Sequence, residues 1–344
     1  MKIESSTAPG PLLRRAGRLP DCVARAVATA PPTLCYHRAA MAQQRVKLYQ
    51  GSVNECSYLE GREAINIYAD PHHPHPRAVY NQLIKRGFRR SGEYVYRPGC
   101  TGCSACVPVR IRCAEFAPRR TDRRNLARNA ALAVDYRPAR YSEEYFSLYR
   151  RYLDARHPGG GMDDPEPADF ERFLLNPWGE TVFVEVRDGR RLVGVAVTDV
   201  AADGLSAVYT FFDPGYARHA LGRFSILCQI ELCRTLSFPY LYLGYWVDGC
   251  RKMQYKTEFR PQEHFDGHEW RLAGVDAERR ATGTLGSPRV ESPHEAVAEG
   301  AARCVRGGAG GGSAPALAAE TDAGVPGVGT AVRGPGERAS SAGA

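Results

Sequence analysis

Hydrophobic and polar positions change period along this chain, most clearly across residues 181–246. Residues 182–186 and 192–200 are runs rich in valine, separated by Asp188-Gly189, which predicts two strands joined by a hairpin turn. Asp203-Gly204 leads into a third run, residues 205–212, so a meander of three antiparallel strands is expected. After Asp213-Pro214 the spacing becomes helical, with Ile226, Leu227, Ile230 and Cys233 on one face, and residues 240–245 resume as a strand. Upstream, Ser142 is placed to cap a helix to about Asp154, with Phe146, Tyr149 and Leu153 on one side.

The ends differ from this middle. Residues 1–44 are rich in Ala, Pro and Arg, and residues 273–344 in Gly, Ala, Pro and Ser, without hydrophobic periodicity in either. Neither buries enough apolar surface to offset its ordering entropy, so both are expected to be disordered. The first segment is Arg-rich but lacks the apolar core of a signal peptide; a genuine extension and a start codon assigned too far upstream both fit it. Between the ends, 344 residues with 43% apolar content leave room for two ordinary domains with buried cores. No apolar run reaches the roughly 18 residues of a membrane span, and a soluble protein is expected.

Charge and cysteine change this picture of a plain globular chain. Between Lys85 and Arg128 there are twelve basic residues against three acidic ones, an excess of nine that accounts for the whole of the chain's net charge of +8. Such a concentrated basic face attracts phosphates, and RNA is the polyanion it suggests. Eleven cysteines without an export signal argue for reduced thiols in the cytosol. Cys228 and Cys233 fit an apolar helical pattern, while Cys22, Cys35 and Cys304 lie in the expected disordered ends. Cys100, Cys103 and Cys106, each separated from the next by two residues, with Cys56 as a fourth corner, are a candidate ligand set for zinc or an iron-sulfur cluster; reduced structural thiols are the alternative. His72, His73 and His75 alternate with prolines, which favours an exposed loop over a metal site.

Two blocks of motifs carry a family resemblance. The first is Cys56-Ser57-Tyr58-Leu59 with Arg62, Gly87-Phe88-Arg89-Arg90-Ser91-Gly92, Tyr96-Arg97-Pro98, Cys103 and Cys106, and Pro108-Val109-Arg110. The second is Gly160-Gly161-Met162-Asp163, residues 206–214, Leu221-Gly222, and residues 240–246 ending in Lys252-Met253 and Tyr255-Lys256. Together they resemble the bacterial aspartate/glutamate leucyltransferases, relatives of the arginyl-tRNA-protein transferases, from about Leu48 to about Trp270. The resemblance implies an α+β fold whose strand, strand, strand, helix, strand order is that of a GNAT-like acyltransferase domain, residues 139–272. A smaller Cys-containing basic domain, residues 45–138, precedes it, with Pro138 as the boundary. Eukaryotic relatives are described as holding an iron-sulfur cluster near the matching cysteines, but Leu59 stands here where they have a second early cysteine.

The implied activity is transfer of leucine from leucyl-tRNA to the N-terminal Asp or Glu of proteins, marking them for degradation, with no cofactor required for the transfer itself. An aminoacyl ester is already activated, so the protein has to align a neutral amine, stabilise an oxyanion and let the ribose oxygen leave. Asp213, directly after a strand, is placed to hold the ammonium or take its proton; as a turn residue before Pro214 it would instead cap the next helix. Tyr209, Tyr242, Lys252, Tyr255 and Lys256 offer phenols and ammonium groups for the oxyanion or the terminal adenosine. Arg89, Arg90, Arg97 and Arg251 are candidate readers of the acceptor carboxylate, since an arginine fork binds it in two parallel hydrogen bonds. Arg119, Arg120, Arg123, Arg124 and Arg128 are candidate tRNA contacts. Arginyl transfer by the same mechanism stays open, as does acetyl transfer from acetyl-coenzyme A, although Arg218-His219-Ala220-Leu221-Gly222-Arg223-Phe224 fits a pyrophosphate-binding loop poorly. A non-catalytic RNA-binding zinc ribbon would leave residues 208–214 and 240–256 without a purpose.

Overall fold

The structure, a computed structural model, describes residues 45–156 and 164–274. The expected disordered ends up to residue 44 and beyond 274, and the Gly160-Gly161-Met162-Asp163 motif, lie outside the described residues. In chain order the first elements are β1 (Leu48–Gln50), β2 (Asn54–Glu55), β3 (Glu63–Ala64), β4 (Asn66–Ala69), α1 (Pro76–Leu83), β5 (Arg89–Ser91) and β6 (Tyr94–Pro98). Next come β7 (Cys106–Arg112), α2 (Arg120–Arg128), β8 (Ala133–Pro138), α3 (Glu143–Arg156) and α4 (Pro167–Leu174). The meander is β9 (Glu180–Asp188), β10 (Arg191–Ala201) and β11 (Gly204–Phe212), followed by α5 (Leu221–Thr235), β12 (Tyr240–Val247), β13 (Gln262–Phe265) and β14 (Trp270–Leu272).

The chain is thus α+β, with a large mixed sheet in the order β14-β13-β7-β12-β11-β10-β9-β8. Its pairs are antiparallel except β11 with β12, which are joined through α5. All but the first position of β10 are buried, so its valine-rich run is that of a central strand covered on both faces. Gly189, with φ +56°, makes the turn between β9 and β10. The Ser142 hydroxyl accepts the Tyr145 N–H at 3.3 Å and so starts α3, as expected. Cys228 and Cys233 are buried on α5 within the main core, also as expected.

The first part of the chain builds a four-stranded antiparallel sheet, β1-β4-β6-β5. Its core, around Val79, Tyr80, Leu83, Phe88 and Val95, continues into Ala201 and Tyr242 of the large sheet. β7 and β8, both within residues 45–138, are strands of that large sheet, and Pro138 is the last residue of β8. Arg90 fastens the two parts together. Its Nε and Nη2 meet the Asp199 carboxylate at 2.6 and 2.9 Å, and its other donors reach the Gly92 and Leu174 carbonyls. Tyr80 and Thr181 also donate to Asp199, so the buried ions are satisfied on both sides.

Candidate active site

Strands β11 and β12 pair over three positions only, from Gly204 opposite Tyr240 to Ser206 opposite Tyr242. Beyond these they part, and β12 continues along β7 with a register shift between Tyr242 and Gly244. A carbonyl that loses its ladder partner needs another donor. Arg89 supplies one, donating from Nη2 to the Ala207 carbonyl at 2.7 Å. Its guanidinium lies against Gly244, where a Cβ would stand 1.6 Å from Nη1. Gly244 also has φ +78°, so glycine meets both the conformation and the space.

Between the parted strands lies a cleft of about 190 Å³. Ala207, Tyr209, Thr210 and Phe212 of β11 line it with Leu243 of β12; α3 adds Tyr152 and Arg156, α5 adds Gly222, Arg223 and Ile226, and Tyr255 comes from the 3-10 run Arg251–Glu258. The lining is mostly aromatic and aliphatic, its two charged side chains are arginines, and among the described residues no carboxylate lines it. Burial pushes the Tyr152 phenol up to about 12, against the pull of Arg156, so it stays protonated near neutrality as a hydrogen-bond donor.

Two of the expected catalytic residues, Tyr209 and Tyr255, line this cleft; the others do not. Tyr242 points into the core of the first part of the chain, where its hydroxyl donates to Asp203 at 3.2 Å and accepts from Arg110 at 3.4 Å. Burial, then the Asp203 charge, pushes its phenol well up. Lys256 is buried and donates from Nζ to the Tyr245 carbonyl at 2.7 Å, while Arg251 and Lys252 are exposed. Asp213 follows Phe212 out of the cleft. It accepts from Gly215 N–H at 2.9 Å, pairs with Arg191 at 2.6 Å, and has Arg151 at 3.8 Å. Burial opposes its charge, but the Gly215 N–H and Arg191 outweigh it and hold the carboxyl below the usual range. A carboxylate so stabilised is a weak base, and its position is that of a cap on the 3-10 turn Pro214–His219.

The arginines divide into fasteners and a surface. Arg89 and Arg90 are buried, and Arg97 lies over the Phe88 ring at 5.3 Å. Helix α2 and its cap expose Arg119, Arg120, Arg123, Arg124 and Arg128, while Asp122, Asn125 and Asn129 turn inward. Arg223 links this surface to the cleft that it lines. Its Nε pairs with Asp122 at 2.8 Å and its Nη1 with Glu258 at 2.7 Å, and Glu258 also holds Arg119 at 3.1 Å.

The thiols of Cys56, Cys100, Cys103 and Cys250 lie near Cys106. Burial first, then these neighbours, pushes the Cys106 thiol up to about 12. The Cys100 sulfur accepts the Ile65 N–H at 3.4 Å, and Arg62 approaches the Cys103 sulfur at 3.9 Å. Among the described residues no three Cys, His, Asp or Glu side chains are arranged to hold a metal ion. The soft-donor set therefore converges without forming a cage, and none of it lines the cleft.

Sequence reasoning missed Tyr152, Arg156, Arg223, Ile226 and Leu243 as site residues. Four of them look like core or surface positions of ordinary elements. Arg156 carried a signal, because residues 145, 149, 152 and 156 follow one helical stripe that is tyrosine three times and then arginine.

Family models of arginine-tRNA-protein transferases match this chain, the N terminus over residues 54–124 and the C terminus over residues 144–266. The aspartate/glutamate leucyltransferase of Thiobacillus denitrificans is 48% identical over 227 residues, covering 66% of this chain and 95% of that protein. Its namesake in Stenotrophomonas maltophilia strain K279a is 49% identical over 231 residues, covering 65% and 92% respectively. Among solved structures, a lysylphosphatidylglycerol synthetase C-terminal domain from Agrobacterium fabrum overlaps 49% of this chain and 52% of its own at 11% identity; the TM-score of 0.30 is too low to carry an argument.

Proposed function

This chain belongs to the arginine-tRNA-protein transferase family, among the aspartate/glutamate leucyltransferases, and from that membership we propose that it moves leucine from leucyl-tRNA onto the N-terminal Asp or Glu of proteins, marking them for degradation. The observation that carries this reading is the cleft where β11 and β12 part, apolar within and joined through Arg223 to the arginine face of α2. An RNA 3′ end lying along that face has its phosphates over Arg120, Arg124 and Arg128, and its terminal ester then reaches the cleft. The strand order, with a parallel β11 and β12 that separate, supports a GNAT-like core, in which an acyl donor enters between two splayed strands. The free thiols of the described residues suit the cytoplasm.

In the transfer, the acceptor's neutral amine attacks the ester carbonyl carbon, the carbon–oxygen bond to ribose breaks, and the amine proton leaves as the ribose hydroxyl is restored. Tyr152 and Tyr255 line the cleft with phenols that serve as donors to the oxyanion. Ile226, Leu243 and Phe212 offer the leucyl side chain an apolar bed. An arginyl side chain would meet two arginines and no carboxylate of the described lining, which favours leucine over arginine as the donor. Asp213 acts by holding the end of β11 rather than by proton transfer. Cys56, Cys100, Cys103 and Cys106 do not line the cleft and stand outside the chemistry, and no step runs through a metal.

Mass spectrometry of an Asp-headed peptide incubated with the protein tests this reading. Leucyl-tRNA should add one leucyl residue, whereas arginyl-tRNA and acetyl-coenzyme A should add nothing. Arginine or acetyl addition, or an unmodified peptide with leucyl-tRNA, contradicts it.

A further inference from the structure

Two arginines line the cleft, and their surroundings differ. Arg223 has its guanidinium committed to Asp122, Glu258 and Thr121. Nearby Arg151 and Arg191 both face Asp213. Arg156, at the C-terminal end of α3, pairs with no carboxylate among the described residues, and its guanidinium carbon lies 5.6 Å from the centre of the Phe212 ring. It stands on the stripe that carries Tyr149 and Tyr152 inward, so the helix directs it to the cleft. A planar fork resting on an aromatic face keeps its N–H donors at the edge, where a carboxylate takes them in pairs.

Building on the proposed function, we infer that Arg156 is the specificity-determining residue that reads the side-chain carboxylate of the acceptor's first residue. The cleft then has a division of labour. Its Arg223 rim is continuous with the α2 surface that the RNA occupies, and its Arg156 rim receives the peptide. Location at the rim also accounts for tolerance of both Asp and Glu. A buried, fully clamped arginine such as Arg90 fixes its partner to a fraction of an ångström, whereas an exposed stem adjusts to one methylene more or less. Phe212 beneath the fork partly excludes water and strengthens the pair.

The test measures leucyl transfer from leucyl-tRNA to peptides headed by Asp, Glu, Asn or Lys, for the wild-type protein and for Arg156→Gln, Arg156→Lys and Arg156→Glu. Arg156→Gln should raise KM for the Asp and Glu peptides by about 10- to 100-fold, the range expected for one lost charged pair, while Kd for uncharged tRNA stays within about twofold. Arg156→Lys should recover part of the loss, and Arg156→Glu should prefer the Lys peptide to the Asp peptide. Because the side chain is exposed, melting temperatures should not move. An unchanged KM in Arg156→Gln, or a fall in tRNA affinity equal to the fall in kcat/KM, overturns the assignment. Wild-type protein that transfers no leucine overturns the proposed function itself, and this assignment with it.

Discussion

Asp213 is the residue on which chemistry and architecture compete most directly. Sequence alone allowed either a proton acceptor or a helix cap; the structure surrounds the carboxylate with the Gly215 N–H, Arg191 and Arg151. Since its carboxyl is held below the usual range in the folded state, it adds stability above the unfolded value of about 3.9, and that stability is lost as pH falls through the folded value. Asp213→Asn should therefore lower the melting temperature at pH 7 by a few degrees and kcat by less than about tenfold. The difference in melting temperature from wild type should shrink at acidic pH. Thermal melts from pH 7 to pH 3 alongside turnover check this; a turnover loss beyond about a thousandfold with unchanged melting would restore the residue to catalysis.

At the scale of elements, β11 and β12 part beside the cleft, and Arg89, packed against Gly244, takes the Ala207 carbonyl that the parting leaves without a ladder partner. Gly244→Ala meets both a positive φ and the Arg89 guanidinium, so it should destabilise the protein by about 2–4 kcal/mol. Adding Arg89→Ala removes the clash but also the bond to the Ala207 carbonyl, so the double variant should lose less than the sum of the two single losses. Urea titrations measure all three, and strict additivity would separate the two residues. Helix α2 makes a second prediction. Arg120 and Arg124 are exposed and make no ion pair among the described residues, while Arg119 is held by Glu258 and Arg128 by the Arg218 carbonyl. Replacing Arg120 and Arg124 by Ala should reduce the slope of log K against log salt for tRNA binding by about 1.5–2. Filter binding at several salt concentrations reads this, and an unchanged slope removes α2 from the RNA face.

Across the whole molecule, legibility in the sequence follows how locally each feature is encoded. The meander, α5 and β12 were readable because their side chains change period at Asp188-Gly189, Asp203-Gly204 and Asp213-Pro214, and the observed strands extend those runs by only a few residues. Strands β1 to β6 were not read as such, since most span two to four residues and show no period. The position of β7 between β13 and β12 was equally hidden, because pairing Val109 with Gly244 joins residues far apart in sequence with no local signature. The cleft was half legible. Tyr209 and Tyr255 stood out as polar aromatics in motif-rich segments, whereas Ile226 and Leu243 differ from core residues only in facing a gap that the fold opens. Tyr242 and Lys256 carry polar ends that suggest chemistry in the sequence, but the fold spends those ends on Asp203, Arg110 and the Tyr245 carbonyl. A crystal structure of the protein with a non-hydrolysable leucyl-adenosine amide is the most direct test of the central claim. The leucyl group should lie against Ile226 and Leu243, with its carbonyl within hydrogen-bond reach of Tyr152 or Tyr255 and the adenosine towards Arg223; a ligand seated anywhere else would contradict it.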